Sequence, residues 1–187
     1  ASSFVSNLFV YNTNPSATDS KTAGFVVRNQ GEIMSSYVKG GFTLENYRSK
    51  YGALISNGNI GGFVYENNGD ISDSYSNITL SSNARTGGFV FSNESGGTIK
   101  TSYSASKILT NSALHMPFIG VDAKSNVQNQ NPNGIENCYY LKLGDEAYET
   151  SSLGEGVVAL TSEEFAVELK FNNFSFSVTL CYPQCYP

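Results

Sequence analysis

The amino-acid sequence predicts an all-β fold, a right-handed parallel β-helix closed at its C-terminal end by a short helix and strand. Three observations predict it. One phrase recurs: "AGFVVRNQGEIMSSY" (Ala23 to Tyr37), "GGFVYENNGDISDSY" (Gly61 to Tyr75), "GGFVFSNESGGTIKTSY" (Gly87 to Tyr103) and an eroded copy from "FIGVDAKSN" at Phe118 to "NGIENCY" at Tyr139. Within every copy an isoleucine precedes the tyrosine by four positions, as Ile33, Ile71, Ile99 and Ile135. Each copy also reads as a short β-type run, an Asn/Gly turn and a second short run, and no long segment has helical periodicity.

The tyrosines are 38, 28 and 36 residues apart, a period that belongs to solenoids, propellers and arrays. A propeller blade needs four strands in about 40 residues, which the shortest interval does not hold. One turn of a β-helix per copy fits, with equivalent residues stacked one strand spacing apart and the unequal lengths leaving at corners as loops. The insertions Thr43 to Asn59 and Lys124 to Gly134 are the expected loops.

Stacking gives each position a reason. Phe25, Phe63 and Phe89 should pile into an interior aromatic column. Asn29, Asn67 and Asn93 stand at the turn, where Asn tolerates left-handed backbone angles and, repeated layer upon layer, forms an amide ladder. Gly31, Gly69 and the Gly96-Gly97 pair allow a corner that a Cβ would obstruct. The residue before each tyrosine is always small: Ser36, Ser74, Ser102 and finally Cys138. If it points inward, Cys138 is a buried, unpaired thiol, and period-two alternation turns Tyr37, Tyr75, Tyr103 and Tyr139 outward as an exposed ladder.

After Tyr139 the pattern changes. "YYLKLGDEAYET" reads as loop, and "LTSEEFAVELKF" as a short helix with a Thr161/Glu164 capping box and a Leu160 to Phe165 staple. "FNNFSFSVTL" supplies a last strand. A repeat array must end in a unit of different sequence, so the expected organisation is a single domain with β-helix turns over 1–143 and a cap over 144–187. The opening "VSNLF" (Val5 to Phe9) reads like the tail of a further repeat, so further repeats are expected upstream in a longer chain.

Composition narrows the function. A net charge of −5, with 14% charged residues, leaves no Lys/Arg cluster to release counterions from a polyanion, so nucleic acid is not an expected partner. No run of about 18 apolar residues is present to cross a membrane. Three cysteines are too few for a disulfide scaffold. Cys181 and Cys185 can close a small loop in an oxidising compartment, or remain two thiols of a frayed tail.

The repeat resembles the GLUG type, Gly-Gly-Phe/Leu-Val-Gly-x-Asn-x-Gly-x-Ile-x-x-Ser-Tyr, of bacterial secreted surface proteins such as filamentous-haemagglutinin-like adhesins. The resemblance runs from Ala23 to Phe176, and "LTSEEF" is similar to an element found downstream of such repeats. The family's glycine after Phe-Val is replaced here by Val27, Tyr65 and Phe91. What the resemblance implies is a stiff extracellular or cell-surface rod for adhesion or display, with no catalytic residues to carry over.

The residues themselves point the same way. A polysaccharide-active β-helix needs paired carboxylates, or a carboxylate cluster for Ca²⁺. Asp70 and Asp73 are the only acidic pair inside a repeat, and their counterparts are Glu32 and Ser35 before and Thr98 and Thr101 after. The single histidine, His115, reads as a loop residue and excludes a multi-His metal site. No cofactor is expected. The tyrosine ladder is the candidate binding face for a host glycan or surface protein, against the plain alternative that the rings only stack on one another; a purely structural spacer or filament subunit is the rival function. Self-association is a further expectation, through strand edges exposed at an uncapped N-terminal turn. Of the sequons at Asn77, Asn93 and Asn173, Asn77 is the candidate for glycosylation, because Asn93 belongs to the buried ladder.

Overall fold

The computed structural model describes residues 21–40, 53–109, 115–121, 134–142 and 156–166. The described residues are all-β apart from one short helix. Each repeat lays down strands in the same order: β1 (Thr22–Ala23), β2 (Val26–Asn29), β3 (Glu32–Met34) and β4 (Tyr37–Gly40) in the first. After β5 (Ala53–Ser56), the second gives β6 (Ile60–Gly61), β7 (Val64–Asn67), β8 (Asp70–Ser72) and β9 (Tyr75–Ser82). The third gives β10 (Thr86–Gly87), β11 (Val90–Asn93), β12 (Thr98–Lys100), β13 (Tyr103–Ser104) and β14 (Lys107–Ile108). Last come β15 (His115–Met116), β16 (Ile135–Glu136), β17 (Cys138–Leu141), β18 (Val157–Leu160) and helix α1 (Ser162–Phe165).

Every pairing among the described residues is parallel, and three sheets take one strand from successive repeats, β1-β6-β10-β15, β2-β7-β11 and β3-β8-β12-β16, while a fourth holds β4, β5, β9, β13, β14, β17 and β18. The register reproduces the repeat. Asn29 pairs with Asn67 and Asn67 with Asn93; Ile33 pairs with Ile71, Ile71 with Ile99 and Ile99 with Ile135; Tyr37 pairs with Tyr75, Tyr75 with Tyr103 and Tyr103 with Tyr139.

Like therefore stacks on like. Phe25, Phe63, Phe89 and Phe118 form one column with ring centroids 5.0 to 5.1 Å apart, close to the spacing of adjacent strands. Phe63, Phe89 and Phe118 are wholly buried, each contributing about 2–3 kcal/mol of apolar burial. Beside them the amide ladder forms: Asn29 Nδ2 donates to Asn67 Oδ1, and Asn67 Nδ2 to Asn93 Oδ1, both at 2.8 Å.

Several details differ from the sequence expectation. Tyr139 to Leu141, read as the start of a loop, belong to strand β17, because β13 and β18 pair along them on either side. The ladder asparagines end strands rather than adopting left-handed angles. Positive φ falls instead at Ser35, Asp73, Thr101 and Asn137, between 42° and 52°, one residue before the small position, where the chain turns from the β3 sheet into the β4 sheet. Part of the expected loop Thr43 to Asn59 is strand β5, which extends the β4 layer along the second half of β9, Ala53 against Thr79. Val157–Leu160, unassigned by pattern, is β18, paired along β17 from Cys138 to Leu141. And a Cβ on Gly31 would meet nothing within 4 Å, whereas one on Gly69 would stand 2.2 Å from Gly31 O and one on Gly97 2.3 Å from Asn93 Oδ1.

At the C-terminal end Thr161 caps α1: Glu164 N–H donates to Thr161 Oγ1 and Thr161 N–H to Glu164 Oε2. Leu160 and Phe165 pack together as the staple requires. The boundary at 143/144, the "VSNLF" segment, the strand expected after the helix, the loop over 124–133 and both Cys181 and Cys185 lie outside the described residues.

Candidate functional site

The tyrosine column is built by two neighbouring positions with opposite directions. The residue after the left-handed corner points inward: Ser74, Ser102 and Cys138 are 0 to 1% exposed. Each returns a hydrogen bond to the carbonyl two residues back, Ser36 to Met34, Ser74 to Ser72, Ser102 to Lys100 and Cys138 Sγ to Glu136 O at 3.3 Å. The hydroxyls of Ser74 and Ser102 also accept the backbone N–H of the preceding layer, Ser36 N–H to Ser74 Oγ and Ser74 N–H to Ser102 Oγ, both at 3.2 Å. Cys138 is a free thiol in this ladder, and burial pushes its pKa up to about 12, against smaller lowering by the backbone N–H of Ser102.

The next residue faces away from the Phe column. Tyr37, Tyr75 and Tyr103 stack with centroids 4.8 to 4.9 Å apart and planes within 4°. They do not form a four-ring exposed face. Tyr37 is 48% exposed and Tyr75 half-buried, but Tyr103 and Tyr139 are buried at 7% and 5%. The cap is the reason: Leu160 and Phe165 cover them, with the Phe165 ring edge-on to Tyr103 at 5.2 Å. Burial, and then the charge Tyr37 would carry, push the Tyr75 hydroxyl up to about 12. The reachable aromatic surface is therefore the Tyr37 face and the Tyr75 edge. Lys39 and Asn77 lie two residues further along the same two strands, paired with each other in register; Asn77 is partly exposed, while Asn93 is 1% exposed in its ladder. Asn173 lies outside the described residues.

The carboxylates are used structurally. Thr98 Oγ1 donates to Asp70 Oδ1 at 2.6 Å, and Thr101 Oγ1 to Asp73 Oδ1, so each carboxylate is tied to the next layer. Among the described residues no three His, Cys, Asp or Glu side chains come together as a metal site. His115, expected in a loop, belongs to strand β15 opposite Thr86. No helix among the described residues is long and apolar enough to cross a membrane.

A second aromatic column escaped the sequence reading. Tyr65 and Phe91 stack at 4.6 Å and are buried with Ala23 and Val121. Glu66 beside them holds Lys21 and Arg28, the latter at 2.6 Å, and Lys21 also lies 5.5 Å from the Tyr65 ring centroid. Burial works to raise the Glu66 carboxyl, but the hydrogen bonds from Lys21 and Arg28 outweigh it and hold the group below its ordinary value. The signal was there: Tyr65 and Phe91 stand at the same position of successive repeats. Compared with known proteins, the chain matches no family model, no curated protein and no solved structure.

Proposed function

We propose that the chain is a right-handed parallel β-helix of GLUG-type repeats, from a non-catalytic secreted or cell-surface protein that serves attachment or display. The observation that carries this reading is the aromatic end at Tyr37 and Tyr75, held in register on the adjacent parallel strands β4 and β9 and flanked by Lys39 and Asn77. A rigid aromatic face beside polar groups suits a sugar ring or a protein side chain at low entropic cost. Asp70 and Asp73 favour the non-catalytic reading, because each is engaged by a threonine of the next layer.

The test is a glycan and host-surface-protein array with the purified chain and a Tyr37→Ala variant whose circular dichroism matches it. Retention of a ligand by the parent, weakened roughly tenfold by the variant, supports attachment, since one ring contact is worth about that much. Absence of binding from both supports the second reading, a structural spacer, which one observation favours: the rings of Tyr37, Tyr75 and Tyr103 already stack on each other.

A further inference from the structure

The second and third layers differ at one place in the interior. In the second, Ile60 and Leu80 belong to a buried apolar cluster with Leu54, and Ile78 packs against it. In the third, Leu80 is succeeded in register by Ile108, but Ile60 is succeeded by Thr86. The pairings on either side, Ser104 with Ser76 and Lys107 with Thr79, set Ser106 opposite Ile78. Both replacements shorten the side chain and put a hydroxyl where the neighbouring layer has only carbon. Thr86 is 0% and Ser106 7% exposed, and neither Thr86 Oγ1 nor Ser106 Oγ has a hydrogen-bond partner among the described residues. The position itself does not forbid one. Thr22, the counterpart of Thr86 two layers earlier, donates to Ser56 Oγ at 3.1 Å.

A buried hydroxyl without a partner is costly. Protein interiors relieve that cost with enclosed water, which needs room and two or more polar partners. Both conditions are met here. The two shortened side chains leave the room. Ser104 Oγ, 1% exposed, adds a third hydroxyl beside Ser106, whose N–H it accepts at 3.4 Å. The two strands also face each other closely, since a Cβ on Gly88, two residues after Thr86, would stand 2.8 Å from Ser104 Oγ. Every polar side chain of this lining is a neutral hydroxyl, which suits a neutral ligand able both to donate and to accept, and does not compensate an ion for its lost hydration. A lining so fully enclosed admits only a very small molecule. We infer that the third layer holds an internal hydration site, in which water supplies the missing partners of Thr86 Oγ1 and Ser106 Oγ. It is independent of attachment, so failure of the binding array leaves it standing.

The experiment uses the full chain and water itself as the probe. Oxygen-17 magnetic relaxation dispersion reads long-lived internal water without interference from exchanging hydroxyl protons. The comparison is a Thr86→Ile, Ser106→Ile variant of unchanged circular dichroism, which writes the side chains of the second layer into the third. The dispersion amplitude should fall by about one or two water molecules in that variant. Thr86→Val keeps the shape of the side chain and removes one hydroxyl; it should lower the amplitude as well, and it serves alone if the double variant does not fold. A crystal structure of the parent chain should place a water oxygen about 2.8 Å from each of the two hydroxyl oxygens. Equal amplitudes from the parent and the folded variants, or density in which Thr86 Oγ1 and Ser106 Oγ bond to protein atoms alone, would overturn the inference.

Discussion

Tyr37 and Tyr139 occupy the same position of their repeats, lie in one sheet and belong to one paired column, yet the first is 48% exposed and the second 5%. The same contrast runs through the first two repeats. Phe63, Ile71 and Asn67 are buried to 0 or 1%, while Phe25 and Ile33, identical in type, are only partly covered. Nothing in the local phrase explains this. In a stacked array, burial comes from the layers on either side; the second repeat has two, and the first has one among the described residues. The cap at β18 and α1 supplies at one end a cover that no described segment supplies to the β1–β4 edge at the other.

The sharpest way to break the comparison is through glycine. Gly69→Ala would place a Cβ 2.2 Å from Gly31 O, and a backbone oxygen held in a parallel pair cannot move aside cheaply. The substitution should cost at least about 3 kcal/mol. Gly31→Ala, the same position one layer earlier, meets nothing within 4 Å and should change stability by less than about 1 kcal/mol in either direction. Thermal unfolding followed by circular dichroism reads both, and equal effects would mean that the first layer is as enclosed as the second.

The ladder asparagines repeat the contrast on a smaller scale. Asn67 makes four bonds, donating to Asn93 Oδ1 and Thr98 O and accepting from Asn29 Nδ2 and Gly69 N–H. Its replacement by alanine orphans buried partners and should cost about 3 kcal/mol. Asn29→Ala removes fewer and should cost about 1–2 kcal/mol, both variants being read by urea titration.

Which of this could be read from the chain follows from periodicity. Ile33, Ile71, Ile99 and Ile135 keep their offset from tyrosine because one stack requires it, so the alignment of letters was already the strand register. The inward direction of Ser74 and Ser102 followed from their size. What the pattern missed lay where a second segment decides. The φ of Asp73 or Thr101 is set by the corner into the next sheet, and neither residue type announces it as glycine would. Tyr103 reads as outward, and it does face away from the Phe column, but only the tertiary placement of Phe165 makes it buried. Val157–Leu160 is a short apolar run after glycine, too short for its period to separate strand from loop.

At the column ends, Phe165→Ala should cost about 2–3 kcal/mol, less than a wholly enclosed ring, and should make Tyr103 accessible to acrylamide quenching. Tyr37→Ala, which removes one stacked face at the exposed end, should cost about 1 kcal/mol. A cap whose loss costs no more than Tyr37 would reduce the two ends to equivalents.

Alkali should distinguish the rings as well. The unfolded chain releases a tyrosine proton near the ordinary 10.0, whereas Tyr75 in the column holds its own to about 12. Between those values the unfolded state binds fewer protons, so stability contributed by Tyr75 is full below pH 10 and falls as pH rises toward 12. Melting temperatures measured from pH 9 to 12 should decline over that window, and Tyr75→Phe should flatten the decline. An unchanged slope in the variant would assign the loss to other groups.

The smallest effect is expected at Cys138, where the eroded repeat departs from serine. Its sulfur takes the hydroxyl's place, pointing inward and bonded to Glu136 O, and burial keeps the thiol protonated to about 12. Since the thiolate is the nucleophile, iodoacetamide at pH 8 should leave Cys138 unmodified in the folded chain and alkylate it fully in urea, as read by site-resolved mass spectrometry. Cys138→Ser should restore the repeat's own residue, lose a little apolar burial, regain a stronger hydrogen bond to Glu136 O, and shift stability by less than about 1 kcal/mol. A large loss would mean that the ladder has different dimensions at β17 than at β13, and that β18 packs against sulfur specifically.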